Sequence, residues 1–161
     1  MFDSYICTSL LERTFSTTGT LIVFLFNNSS IFFMINIYSD EHQSALKYLK
    51  NTVANIWNVL IIAGDFNIRN RKWDLFYPFH SSYSNFLIEV TNFCELKLSS
   101  PIYQILTCYT DNPNDSNSVI DLIFLWLNLV EIDNHCILPK SWHSSDYVSL
   151  TINISIMEEF I

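Results

Sequence analysis

The sequence predicts an α/β domain. Short apolar runs rich in β-branched and aromatic residues alternate with segments of helical period. Half of the 161 residues are hydrophobic and only 15% are charged. No repeat or linker interrupts the pattern, so residues 1–161 are read as a single domain. A chain of this length buries about 70% of its extended-chain surface on folding. High hydrophobicity with low charge density excludes intrinsic disorder, and two glycines with four prolines exclude collagen-like or low-complexity sequence.

The elements follow in order. Residues 1–19 carry no clean period, and no element is assigned to them. Leu21 to Phe26 and Ile31 to Tyr38 are apolar runs around Asn27-Asn28-Ser29-Ser30, which reads as a β-hairpin with strands at about 20–26 and 31–38. Ser39-Asp40-Glu41 offers an N-cap and an acidic first turn. Leu46, Leu49, Val53 and Ile56 then recur at helical spacing, which predicts a helix over about 41–55. Val59 to Ala63 is a continuous apolar run, a strand buried on both faces. A polar loop runs from Gly64 to about His80. Tyr83, Phe86, Leu87, Val90, Phe93 and Cys94 form one stripe of a second helix over 82–97. Leu106 to Tyr109 reads as a short strand, 111–117 as a turn-rich loop, Val119 to Leu125 as a buried strand and Val148 to Ile156 as a final one.

The mean hydropathy of +0.23 raises the question of a membrane span. Leu21 to Tyr38 is the most apolar region, but four polar residues at its centre make it a poor spanning helix. Asp3 lies close behind Met1 without a basic n-region, which argues against a signal peptide. An intracellular chain, nuclear or cytoplasmic, with no membrane partner is expected. Cys7, Cys94, Cys108 and Cys136 are widely spaced, which suits free thiols and no zinc site. The net charge of −8 argues weakly against nucleic acid, because phosphate backbones select basic surfaces.

Three polar intrusions fall at buried strands. Gly64-Asp65-Phe66-Asn67 follows the run 59–63, where α/β sheets place their sites. An Asp and an Asn two apart on extended chain point the same way and suit water activation and phosphate binding; the same residues also make an ordinary turn. Asp121 interrupts Val119-Ile120-Asp121-Leu122-Ile123-Phe124, where a buried charge needs a partner or a function. Ser144-Ser145-Asp146-Tyr147 precedes the last strand and reads by itself as a capped loop.

Together Gly64-Asp65-Phe66-Asn67, the Ser118 to Phe124 strand and Ser145-Asp146-Tyr147 resemble the endonuclease/exonuclease/phosphatase superfamily, whose marks are GDFN, an IDxIF-type strand and SDH. Asn36-Ile37-Tyr38 is similar to the family's N-x-Y strand end. Trp73 and Thr107 fit its retrotransposon-encoded apurinic-endonuclease-like branch. The resemblance covers about residues 20–156. It implies a two-sheet β-sandwich flanked by helices that hydrolyses phosphodiester bonds with Mg²⁺ or Mn²⁺. By position, Asp65 would orient or deprotonate water and Asn67 would bind the scissile phosphate and help hold that acid. Asp146 would belong to the metal cluster, Asp121 would orient the catalytic imidazole, and Tyr38 would contact phosphate. Arg69, Arg71 and Lys72 follow the motif and read as a solvated loop or as a contact for DNA, with RNA as the alternative substrate.

Two departures bear on activity. Tyr147 stands at the family's histidine, and a phenol with a pKa of about 10 cannot supply an imidazolium's charge. His143, four residues earlier, is a substitute only with a loop shift. Asp3 and Glu12 are the acids of residues 1–19, and neither lies in the context of the family's metal-binding Glu. The reading is therefore an N-terminally truncated, impaired hydrolase; the alternative is an inactive remnant or binding module. Absent N-terminal strands would leave an apolar face or open edge beside 20–38, and with it self-association.

Overall fold

The apolar runs after residue 19 pair with one another as strands. The computed structural model describes residues 14–15, 19–27, 30–40, 42–56, 58–74, 77, 81–99, 106–108, 118–128, 130–138 and 149–156. In chain order these form β1 (Thr14–Phe15), β2 (Thr20–Asn27), β3 (Ser30–Tyr38), α1 (Ser44–Val53), β4 (Val59–Asp65), α2 (Ser82–Phe93), β5 (Lys97–Leu98), β6 (Asp121–Leu125), β7 (Val130–Leu138) and β8 (Ser149–Ile156). Six strands make a mixed sheet in the order β1-β2-β3-β4-β6-β5, and β7 pairs with β8 in a second sheet. Among the described residues the fold is α/β, with two sheets and two helices.

The hairpin expected at 20–38 forms, with Asn27 opposite Ser30. β3, α1 and β4 make a parallel crossover in which Tyr38 lies beside Asp65. β6 runs antiparallel to β4 and places Asp121 opposite Asp65. The sheet buries both faces differently. On one face Ile35, Ile37, Ile62, Leu122 and Phe124 pack with Leu46, Leu49, Leu87 and Val90 of the helices. On the other face Phe32, Ile61, Ile123 and Leu125 form a second cluster, with Met34 and Ala63 against it. Alternation along each strand therefore carries Asn36 and Tyr38, Asp65, and Asp121 onto this second face.

Several expectations are corrected. Helix α1 starts at Ser44, not near 41, and has no acid in its first turn. Gln43 takes a left-handed φ of 56° and breaks the helix there; Asp40 still accepts the Ser44 N–H, at 2.9 Å, from outside the helix. Helix α2 ends at Phe93, and Phe93 is 64% exposed rather than part of the buried stripe. Leu87 and Val90 of the expected stripe are buried and Tyr83, Phe86 and Cys94 pack partly buried against the same core, while Ser84 and Thr91 are buried beside them. The two polar residues fit there because Ser84 bonds the Ser81 carbonyl and Thr91 the Ile88 carbonyl. Around Cys108 there is an isolated bridge to Ser118 rather than a strand. Strand β6 begins at Asp121, two residues later than expected. At the sheet edge, two-residue β1 covers Leu21 and Ile22, so this stretch of β2 is not open.

Candidate active site

Tyr38, Asp65 and Asp121 stand side by side on three adjacent strands, at the carboxyl ends of β3 and β4. Paired positions present their side chains to one face, so the three form a polar row beyond the apolar cluster of that face. The close fit of β3 to β4 depends on Gly64, whose φ is 134°. A Cβ there would lie 1.9 Å from the Ile37 carbonyl oxygen. On the other side of β3, Gly19 accepts the Tyr38 N–H at 2.7 Å. The phenol of Tyr38 is 65% exposed.

Asp65 ends its strand and starts a turn. The Asn67 N–H donates to Asp65 Oδ1 at 3.0 Å, and Asn67 has a left-handed φ of 50°. This corrects the expectation that Asp65 and Asn67 share a direction by strand alternation: the chain leaves the sheet after Asp65, so the two are joined by an Asx turn instead. Burial pushes the Asp65 carboxyl above its ordinary range, and the Asn67 N–H opposes that.

The turn is held from below. The Ser39 N–H donates to the Asp65 carbonyl at 2.8 Å. Ser39 Oγ donates to Gln43 Oε1 at 2.8 Å, and Gln43 Nε2 reaches the Asn67 carbonyl at 3.4 Å. Sequence reasoning missed Gln43, whose only signal was a polar residue just before the helix.

Asp121 faces Asp65 with less exposure. Burial pushes its carboxyl up to about 6; a hydrogen bond from the Thr107 side chain opposes this, and the charge of Asp65 adds to it. Asp121 Oδ2 is buried without a hydrogen-bond partner among the described residues.

The loop after the motif is rigidly built. Phe66 N–H donates to the Ile120 carbonyl at 3.0 Å. Trp73, 2% exposed, donates from Nε1 to the Ile68 carbonyl at 2.9 Å. Asn70 accepts the Lys72, Trp73 and Asp74 N–H groups, and its amide donates to Ser84. Asp74 accepts the Val119 N–H at 3.4 Å. Neither Asn70 nor Asp74 was foreseen, though both lie beside Trp73. Arg71 and Lys72 are exposed, and the Arg69 guanidinium lies 5.5 Å from the Tyr77 ring centroid.

The structure thus brings together Tyr38, Asp65, Asn67 and Asp121. Asp146, Tyr147 and His143 lie outside the described residues. Among the described residues no group of three His, Cys, Asp or Glu side chains is placed to hold a metal ion. No helix among them is long and apolar enough to cross a membrane.

The sheet and helices match solved structures with an endonuclease/exonuclease/phosphatase-like α/β fold. The endonuclease domain of TRAS1, a telomere-specific non-LTR retrotransposon, superposes with a TM-score of 0.65 at 17% identity, over 87% of this chain and 65% of that one. The human nocturnin catalytic domain superposes at 0.50 with 18% identity, over 86% of this chain and 52% of that one. The chain spans less than two thirds of the length of either. No curated protein sequence matches it. The profile of the family described as endonuclease-reverse transcriptase matches residues 32–150, and the chain belongs to that family.

Proposed function

We propose that the chain is a divalent-metal-dependent phosphodiester hydrolase acting on DNA, with reduced activity. The observation that carries this reading is the row of Tyr38, Asp65 and Asp121. Asp65, held by the Asn67 N–H and raised by burial, accepts the proton of the attacking water. A base whose pKa moves toward the working pH is better suited to that transfer. The exposed Asn67 amide and the Tyr38 phenol contact the scissile phosphate. Arg69, Arg71 and Lys72 lie along the nucleic-acid backbone, where each phosphate contact adds salt-dependent affinity.

The acids present fit a hard cation. Asp65 and Asp121 repel each other and Asp121 Oδ2 has no hydrogen-bond partner among the described residues, so positive charge nearby would be favourable. Asp146 is the residue that would hold Mg²⁺ or Mn²⁺. When bound, the ion supplies charge stabilisation to the phosphate oxygens. A hydrogen bond from the Tyr147 hydroxyl to Asp121 would stand in the place of the family's imidazole.

A second reading, a domain that binds nucleic acid without cutting it, is favoured by Tyr147 itself. Plasmid nicking with Mg²⁺ or Mn²⁺ separates the two. Nicking that is lost in Asp65→Ala supports the hydrolase. Retained DNA binding without nicking, in the parent and in Tyr147→His, supports the binding module.

A further inference from the structure

We propose that the groove between α1 and α2 is a homodimer interface, in which two copies of this chain pack with α1 of each over α2 of the other. Both helices cover one face of the sheet. Their C-terminal halves bound a groove of about 290 Å³ whose floor is the buried Val53 and Val90. Each wall is one stripe at three- and four-residue spacing, Lys50 to Ala54 on one side and Phe86 to Phe93 on the other. Phe93 stands at the rim, 64% exposed. The acid row lies on the other face of the sheet and plays no part in the inference.

Shape and charge both select a second copy as the occupant. The Lys50 ammonium lies 5.2 Å from the Phe86 ring centroid, and the ends of both helices meet where Ala54 and Phe93 line the groove. The helices therefore run in the same direction, with Lys50 level with the start of the Phe86 to Phe93 stripe. A two-fold axis along the groove keeps each residue's height and exchanges the helices, which makes the surface self-complementary. Phe93 of each copy then enters over Val53 and Ala54 of the other, where the alanine leaves room. The charged residues of α1 are Lys47 and Lys50, and that of α2 is Glu89; all three are exposed. The same rotation sets Lys50 of each copy against Glu89 of the other. A chain of net charge −8 repels its copy in general, but at this surface opposite charges meet. The desolvated ring supplies affinity and the reciprocal rim pairs fix orientation.

Sedimentation equilibrium of the full chain is the test. The parent is expected to move from 18.8 kDa toward twice that mass as its concentration rises to about 100 μM, well above the micromolar end of specific interfaces. Phe93→Ser should raise the dissociation constant about 30-fold or more. Lys50→Glu and Glu89→Lys should each raise it about tenfold. All three changes are at exposed side chains and leave the core intact. Mixed in equal amounts, Lys50→Glu and Glu89→Lys should recover the parent's affinity, since each chain then meets its opposite charges in the other. A contact within one chain, or association through the β2 edge, would not recover on mixing. A parent that stays monomeric overturns the proposal, including one whose groove takes up an apolar dye such as anilinonaphthalene sulfonate. So does association that Phe93→Ser leaves unchanged, or mixing without recovery.

Discussion

Replacing Asp121 by Asn should make the protein more stable at neutral pH and leave it nearly unchanged in acid. In the folded chain burial pushes the Asp121 carboxyl from an ordinary 3.8 to about 6. Each unit corresponds to about 1.4 kcal/mol, so the ionised acid costs the fold about 3 kcal/mol. The folded state holds this proton more tightly than the unfolded chain does. The group's contribution is therefore fully present below about pH 4 and is lost as pH rises through about 6. Asp121→Asn removes the charge while keeping an oxygen that Thr107 can reach. Urea denaturation, followed by tryptophan fluorescence, gives the stability difference between variant and parent at each pH. That difference should grow by about 2 kcal/mol in favour of the variant between about pH 4 and about pH 7. A difference that stays flat, or moves toward the parent, refutes the reasoning.

Other perturbations test the surrounding scaffold. Gly64→Ala sets a Cβ against the Ile37 carbonyl at a φ of 134° and should lower the unfolding free energy by about 3 kcal/mol or more; an unchanged urea midpoint would contradict this. Glu95 holds a left-handed φ of 57° after α2, while the Leu96 N–H bonds the Thr91 carbonyl and the Glu95 N–H bonds the Asn92 carbonyl. Gly is the favoured residue in such a helix stop, so Glu95→Gly should raise the unfolding free energy by about 1 kcal/mol. Arg71→Ala and Lys72→Ala should each weaken DNA binding and lower the slope of log affinity against log salt by about 1. Salt titration by fluorescence anisotropy measures that slope, and an unchanged slope would place the loop away from the backbone.

Much of the central sheet was legible because its strands are local patterns. The runs at 20–38, 59–65 and 121–125 are β-branched and apolar, and strand alternation follows directly from them. The acid row was legible as Asp65 and Asp121 in apolar context, but their pairing was not, since register between strands far apart in sequence has no local signature. Thr107 bonds Asp121 across 14 positions, so its part could not be read from spacing. Helix α1 starts later than its pattern suggests because Gln43 takes a left-handed φ of 56°, with its side chain bonded to Ser39 and Asn67. Strand β7 escaped notice because Glu131, Asp133, Asn134 and His135 break the apolar run, and a register shift between Ile132 and Asn134 breaks the alternation.

The central claim is that this acid row cuts phosphodiester bonds, and plasmid nicking with Mn²⁺ by Tyr147→His, beside the parent and the Tyr147→His/Asp65→Ala double variant, tests it most directly. Restoring the imidazole should raise the parent's slow nicking by about 10²- to 10⁴-fold. Removing the Asp65 carboxylate should then abolish it. Equal nicking with and without Asp65, or none by Tyr147→His with protein in excess over plasmid, would contradict the claim.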